Sequence, residues 1–268
     1  MHAPVSANEA AASEATERQL LLAAARRIAD GFGALGLSER LDAIRNIIPG
    51  RVVFTTSFGI EDQAITHAIF ADDLDIEVVT LDTGRLFPET HDVWAETERR
   101  YRRRIHGLAP HHGEVEALIA RQGINGFHAS VEARHRCCFV RKVEPLGRAL
   151  ADASGWITGL RAEQSSERST TAYAAFDDER DLVKVNPLLD WSRARVVDYV
   201  ARHGIPYNAL HDRGFLSIGC APCTRAVKAG EPERAGRWWW EQEARKECGL
   251  HNDNGDGHPA TLAPVAVG

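Results

Sequence analysis

Apolar positions along the chain switch between a helical and a strand-like rhythm. Leu20, Leu21, Ala24 and Ile28 recur at helical spacing over residues 17–28. Leu41, Ile44, Ile47 and Ile48 do the same over a second helix that Ser38 can cap and that Pro49 and Gly50 close. The rhythm then changes. Residues 51–56 form a short β-branched run that predicts a buried strand, 57–62 a tight connection, and 64–70 a helix. Residues 76–81 repeat the strand pattern and end at Asp82 to Gly84; Pro88 suits the first turn of a helix with Val93, Trp94, Thr97 and Tyr101 on one face. The basic run at 99–104 reads as the solvated side of that helix. Helices are predicted over 114–121 and 141–152, and strands over 156–158 and 182–185. A last helix carries Val196, Val197 and Val200, with Asp190 as cap and a stop at Gly204 and Pro206.

A repeated strand-then-helix order implies an α/β protein: a mainly parallel twisted sheet with helices on both faces. Ligands in such sheets sit at the carboxyl ends of the strands, where the turns after Thr56 and Leu81 lie. Residues 161–180 are polar and Ser/Thr-rich and read as a mobile loop over that edge. The organisation expected is a disordered tail at 1–16, an α/β domain at 17–230, a C-terminal segment at 231–251 and a disordered tail at 252–268.

Composition narrows the class. With 44% hydrophobic and 26% charged residues in 268, the chain can build a sizeable soluble core. No run is apolar for long enough to span a membrane, and the N-terminus lacks a leader pattern, so a cytoplasmic protein is expected. A net charge of −6 argues against a general nucleic-acid binder but leaves room for an anionic small molecule held by local arginines. Oligomeric state is open, with a homo-oligomer as one possibility.

In a reducing compartment the five cysteines point to catalysis or metal binding rather than structural disulfides. They are the adjacent pair Cys137 and Cys138, read as the start of a helix, the pair Cys220 and Cys223 in Cys-x-x-Cys spacing, and Cys248. Thiolate-only sets favour zinc or iron–sulfur, and adjacent thiolates suit the separate iron corners of a cubane. Cys220 and Cys223 also fit a dithiol redox pair, although that motif belongs just after a strand early in a small domain. Ser57 and Gly59 ahead of a helix can turn a hydroxyl and backbone N–H groups toward an oxyanion, or simply form a turn. Arg161, Arg234 and Arg237 offer two-point contacts to phosphate or sulfate, or surface ion pairs; Lys142, a helical turn beyond the Cys137 pair, reads as a link between thiols and ligand or as an exposed lysine. Trp238, Trp239 and Trp240 read as a packing cluster.

Eight motifs follow one another: Ser-x-Gly-x-Glu-Asp (57–62), Leu-Asp-Thr-Gly-Arg-x-x-Pro-Glu-Thr (81–90), Cys-Cys-x-x-Arg-Lys-x-x-Pro-Leu (137–146), Gly-x-Arg-x-x-Gln-Ser (159–165), Asn-Pro-Leu (186–188), Cys-x-Pro-Cys-Thr (220–224), Arg-x-Gly-Arg-Trp-Trp-Trp (234–240) and Glu-Cys-Gly-Leu-His (247–251). In this order they resemble the assimilatory adenylylsulfate reductases of the sulfonucleotide reductase family, over about residues 51–251. The resemblance implies an adenine nucleotide α-hydrolase-like fold and thioredoxin- or glutaredoxin-dependent reduction of adenosine 5′-phosphosulfate to sulfite and AMP. It implies Cys248 as the nucleophile, with Arg245, Lys246 and His251 nearby to favour its thiolate. It implies a [4Fe–4S] cluster on Cys137, Cys138, Cys220 and Cys223, and substrate contacts from Ser57, Gly59, Leu81, Lys142, Arg161, Arg234 and Arg237. The two retained cysteine pairs favour adenylylsulfate over its 3′-phosphorylated form. An ATP pyrophosphatase would need a fuller Ser-Gly-Gly-x-Asp-Ser loop, and a non-enzymatic metal protein would leave Cys248 and the arginine pair unexplained.

Overall fold

The computed structural model describes residues 7–241. Cys248 and the tail expected at 252–268 lie outside the described residues. Helix α1 runs Ala7–Gly31 and so begins inside the stretch read as a loose tail. Helix α2, Leu37–Ile47, is capped at Gly36 rather than Ser38, because the Glu39 carboxylate turns back to accept the Gly36 N–H at 2.7 Å. There follow β1 (Arg51–Thr56), α3 (Ile60–Ala71), β2 (Glu77–Leu81), α4 (Pro88–Tyr101), β3 (His106–Leu108), α5 (His112–Gln122) and α6 (Val131–Cys138). A π-helical turn, Phe139–Val143, leads into α7 (Glu144–Ala149), then β4 (Ala153–Ile157), β5 (Ala174–Asp177), β6 (Leu182–Val185) and α8 (Arg193–Arg202). The single helix expected at 141–152 is thus a π turn and a short α-helix. The expected loop at 161–180 contains an edge strand. Ser192 caps α8, while Asp190 is engaged by buried Arg40.

The six strands of the described residues form one sheet in the order β3-β2-β1-β4-β6-β5. All neighbours pair in parallel except β5, which runs antiparallel to β6 along the edge. The chain works outward from β1 on one side and then restarts at β4 on the other. The gap between β1 and β4 is therefore the switch point where helices leave in opposite directions and a ligand crevice opens. Side chains sort by strand alternation. Val52 and Phe54 of β1 and Val78 of β2 bury against α1, α2, α3 and α8. Val53 and Val79 bury on the opposite face against Leu146 and Ala149 of α7. Covered on both faces, β1 carries a continuous apolar run rather than an alternating one. Among the described residues, no helix is long and apolar enough to cross a membrane.

Candidate active site

A cleft of about 190 Å³ opens at the carboxyl ends of β1, β2 and β4. The turn after β1 supplies Ser57, Gly59, Glu61 and Asp62, the turn after β2 supplies Leu81 and Thr83, and the turn after β4 supplies Thr158, Gly159 and Leu160. Phe58 takes a left-handed backbone (φ 59°) to reverse the chain, and its buried ring stacks on Trp94. The turn is closed by Asp62, whose carboxylate accepts the Ser57 N–H at 2.6 Å and the Ser57 hydroxyl at 2.7 Å. Burial pushes the Asp62 carboxyl up to about 6 even though both Ser57 bonds favour the charged form. Gly159 is required where the turn after β4 passes Asp62: a Cβ there would lie 2.0 Å from Asp62 Oδ1. Its lining includes two contact groups: an apolar pole where Leu81, Leu146 and Trp156 pack in one cluster, and a polar pole where Arg237 donates to Ser217 at 3.4 Å and Glu233 pairs with Arg193.

Ser57, Gly59, Leu81, Lys142 and Arg237 line this cleft, whereas Arg161 and Arg234 do not. Arg161 is fully buried behind it. Its Nε donates to Glu61 at 2.8 Å, Nη2 to Glu233 at 2.8 Å and Nη1 to Glu163 at 3.2 Å. Glu61 and Glu233 themselves line the cleft, so Arg161 acts on the wall through them. Burial and neighbouring Glu61 push the Glu233 carboxyl up, more than Arg161 pulls it down. Arg234 is half-buried on the C-terminal segment. Arg237 is buried, lies over the Trp238 ring at 4.7 Å, and reaches the Ile218 carbonyl at 3.3 Å, while its Nε has no hydrogen-bond partner among the described residues. Gly219 admits it: a Cβ there would lie 2.3 Å from Arg237 Nη2.

Next to the cleft a small cavity is lined by Cys137, Cys138, Cys220 and Cys223, together with Arg85, Phe127, Arg134, Arg141 and Lys142. Cys137 and Cys138 end helix α6 rather than starting one, and the π turn follows directly. Cys220 and Cys223 bracket a single turn containing Pro222. All four are free thiols. The Thr83 hydroxyl lies 3.4 Å from Cys220 Sγ. Burial pushes the Cys220 thiol up, but Lys142, the Thr83 hydroxyl, Arg237 and Arg141 outweigh it and bring it below its usual value. Burial and the adjacent Cys220 drive Cys223 up to about 12, and burial raises Cys137. The Arg141 guanidinium donates to the Thr83 carbonyl at 2.6 Å, and its Nε has no hydrogen-bond partner among the described residues. As the side chains stand, no set of three or more His, Cys, Asp or Glu among the described residues is assembled to hold a metal ion.

The C-terminal segment is sewn to this thiol turn. Thr224 pairs with Arg237 in an antiparallel bridge, the Trp238 N–H donates to the Cys223 carbonyl at 3.1 Å, and the Arg225 N–H donates to the Gly236 carbonyl at 3.0 Å. Gly236 permits the approach, since a Cβ there would sit 2.2 Å from the Arg225 oxygen. Farther on, buried Arg134 pairs with buried Glu241 at 2.6 Å and lies over Trp238. Trp238 is buried and Trp240 packs beside the cysteines, but Trp239 is exposed. The residues that sequence reasoning passed over are Asp62, Glu61, His211 and Glu233 in the cleft, and Arg85, Arg134 and Arg141 around the thiols. Glu61, Asp62, Arg85 and Arg141 stood inside the quoted motifs; His211 and Glu233 carried no local signal.

Residues 51–226 match the model of the phosphoadenosine phosphosulfate reductase domain. The chain is 55% identical over 233 residues to an adenosine 5′-phosphosulfate reductase of Sinorhizobium fredii (strain USDA 257), covering 87% of this chain and 92% of that protein. It is 55% identical over 220 residues to the adenosine 5′-phosphosulfate reductase of Agrobacterium fabrum, covering 82% and 84%. Among solved structures, a phosphoadenylyl-sulfate reductase from Candida auris in complex with phosphate shares the fold, with a TM-score of 0.64 at 24% identity over 75% of this chain and 95% of that one.

Proposed function

The chain belongs to the phosphoadenosine phosphosulfate reductase domain family, and on that premise we propose that it reduces adenosine 5′-phosphosulfate to sulfite and AMP in sulfate assimilation. The observation that carries the reading is Lys142, which lines both the cleft and the four-thiol cavity. One ammonium can therefore neutralise a substrate anion at the point nearest the thiols. Arg237 adds a second cation to the same wall. The base fits the apolar pole at the β2 and β4 ends, and the phosphosulfate fits the pole with Lys142, Ser217 and Arg237.

The thiol cavity fits a [4Fe–4S] cluster held by Cys137, Cys138, Cys220 and Cys223. Four thiol donors share one cavity, and Arg85, Arg134, Arg141 and Lys142 around it suit a group whose four thiolate ligands make it anionic. When bound, the cluster would supply a fixed charge beside the substrate sulfate. The sulfur chemistry belongs to Cys248, which lies outside the described residues. Its thiolate attacks the sulfate sulfur, the bond from sulfur to the phosphate oxygen breaks, and AMP leaves with that electron pair. A thiol of thioredoxin or glutaredoxin then attacks the Cys248 sulfur, sulfite departs, and the second thiol of the reductant resolves the mixed disulfide and frees Cys248. A reducing, cytoplasmic setting would keep these thiols and Cys248 available for this cycle.

Protein purified without oxygen, given adenosine 5′-phosphosulfate and reduced thioredoxin, is expected to release sulfite, and Cys248→Ser to release none. Iron bound to the wild type is expected to be lost in Cys220→Ser. Absence of sulfite overturns the activity; full turnover by Cys248→Ser overturns the nucleophile; unchanged iron content in Cys220→Ser overturns the cluster site.

A further inference from the structure

His211 lines the cleft from the short turn Ala209–Arg213. Its Nδ1 lies 2.8 Å from the Phe215 carbonyl oxygen. A carbonyl oxygen can only accept, so Nδ1 must carry the proton. Burial and the nearby Arg193 guanidinium hold the ring below the ordinary imidazole range, more than the Phe215 bond, Glu61 and Asp212 raise it. The neutral ring then presents Nε2 as a bare acceptor, and that atom is buried with no hydrogen-bond partner among the described residues. A buried acceptor left unmade is costly, and in a wall that faces a ligand the natural partner is the ligand.

The chemistry of the acceptor selects which part of the ligand it meets. A phosphosulfate at neutral pH offers acceptors only. The adenine amine is a donor, but the apolar pole that suits the base lies with the packed cluster of Leu81, Leu146 and Trp156. His211 belongs to the polar pole, because the Arg193 that acts on it also donates to the Leu216 carbonyl and pairs with Glu233. Between base and phosphosulfate the remaining donors are the ribose hydroxyls. Resting on the reading of the cleft as an adenylylsulfate site, we propose that His211 Nε2 accepts a hydrogen bond from a ribose hydroxyl and positions the sugar between the two poles.

The test is equilibrium binding of AMP, 2′-deoxy-AMP and 3′-deoxy-AMP to wild type, His211→Asn and His211→Gln. Asparagine can keep the bond to the Phe215 carbonyl but has no acceptor at the Nε2 position; the longer glutamine can place one there. Wild type is expected to bind one of the two deoxynucleotides about tenfold more weakly than AMP, the size of one hydrogen bond. His211→Asn is expected to bind AMP about tenfold more weakly than wild type and to lose that discrimination, and His211→Gln to regain part of it. Equal weakening of AMP and both deoxynucleotides in His211→Asn marks a structural role and overturns the proposal. So does a wild type that binds all three nucleotides alike, a result that needs no variant to fold. A wild type that does not bind AMP at all overturns the proposal together with the reading of the cleft, and is told apart from the other outcomes by that loss.

Discussion

Replacing Arg161 with methionine separates a substrate-binding role from a structural one. Arg161 is fully buried, and its guanidinium is shared among Glu61, Glu233 and Glu163. Glu163 is largely exposed and regains water when the arginine goes, but the side chains of Glu61 and Glu233 are only 10% and 14% exposed. Removing one partner of a buried ion pair costs about 3–5 kcal/mol, because the other charge stays behind unpaired. At about 2–4 °C per kcal/mol for a chain of this size, Arg161→Met should lower the melting temperature by about 6–20 °C without nucleotide present. The loss should depend on pH with a definite sign. Glu233 already titrates above its ordinary value through burial and Glu61, so the folded state holds its proton more tightly than the unfolded state. A raised carboxyl pKa favours the folded state at low pH, and that advantage fades as pH rises through the folded value. Without Arg161 the Glu233 pKa rises further, so the deficit of the variant should be smaller at pH 5 than at pH 8. The assay is thermal unfolding of wild type and variant at both pH values, with and without AMP. A variant that melts within about 2 °C of wild type at both pH values, yet no longer binds AMP, would refute the reasoning and return Arg161 to direct ligand contact.

Two further outcomes follow from the same cleft. Asp62→Asn keeps an acceptor for Ser57 but removes a carboxyl held at about 6, so the stability of the variant relative to wild type should rise by about 2 kcal/mol between pH 4 and pH 7, read by denaturant unfolding; a flat difference would show that Asp62 titrates normally. Gly159→Ala places a methyl 2.0 Å from Asp62 Oδ1 and should weaken AMP binding at least tenfold by displacing the turn after β1; unchanged affinity would show that the turn tolerates the shift.

What could be read from the sequence divides along physical lines. Strands β1, β2, β4 and β6 are central and buried, and each announced itself as a β-branched or aromatic run. The edge strands did not. His106–Leu108 is three residues long and mostly exposed, and Ala174–Asp177 lies in a polar stretch whose extended form comes from pairing with β6. The π turn at Phe139–Val143 has no propensity signature, so an ordinary helix was the natural reading of that stretch. Cysteine type, number and spacing pointed to one shared site, and the four described thiols do line one cavity. Arg161 shows where such reasoning stops. Its side chain suits an anion, but two of the carboxylates that occupy it, Glu61 and Glu233, are brought in from 100 and 72 positions away, which only the folded chain reveals. His211 was silent for the same reason, since its meaning depends on which ring nitrogen the Phe215 carbonyl fixes.

The bridge between Thr224 and Arg237 makes one short ribbon serve two ligands. Cys223 faces the thiol cavity from one strand of it, and Arg237 faces the cleft from the other. Whatever free energy a group on the thiols contributes to keeping that ribbon paired is available to an anion on Arg237, and the reverse holds by the same amount. Nucleotide in the cleft should therefore tighten binding of the thiol-bound group by the same factor by which that group tightens nucleotide, a reciprocity that ties maturation of the protein to the presence of its substrate.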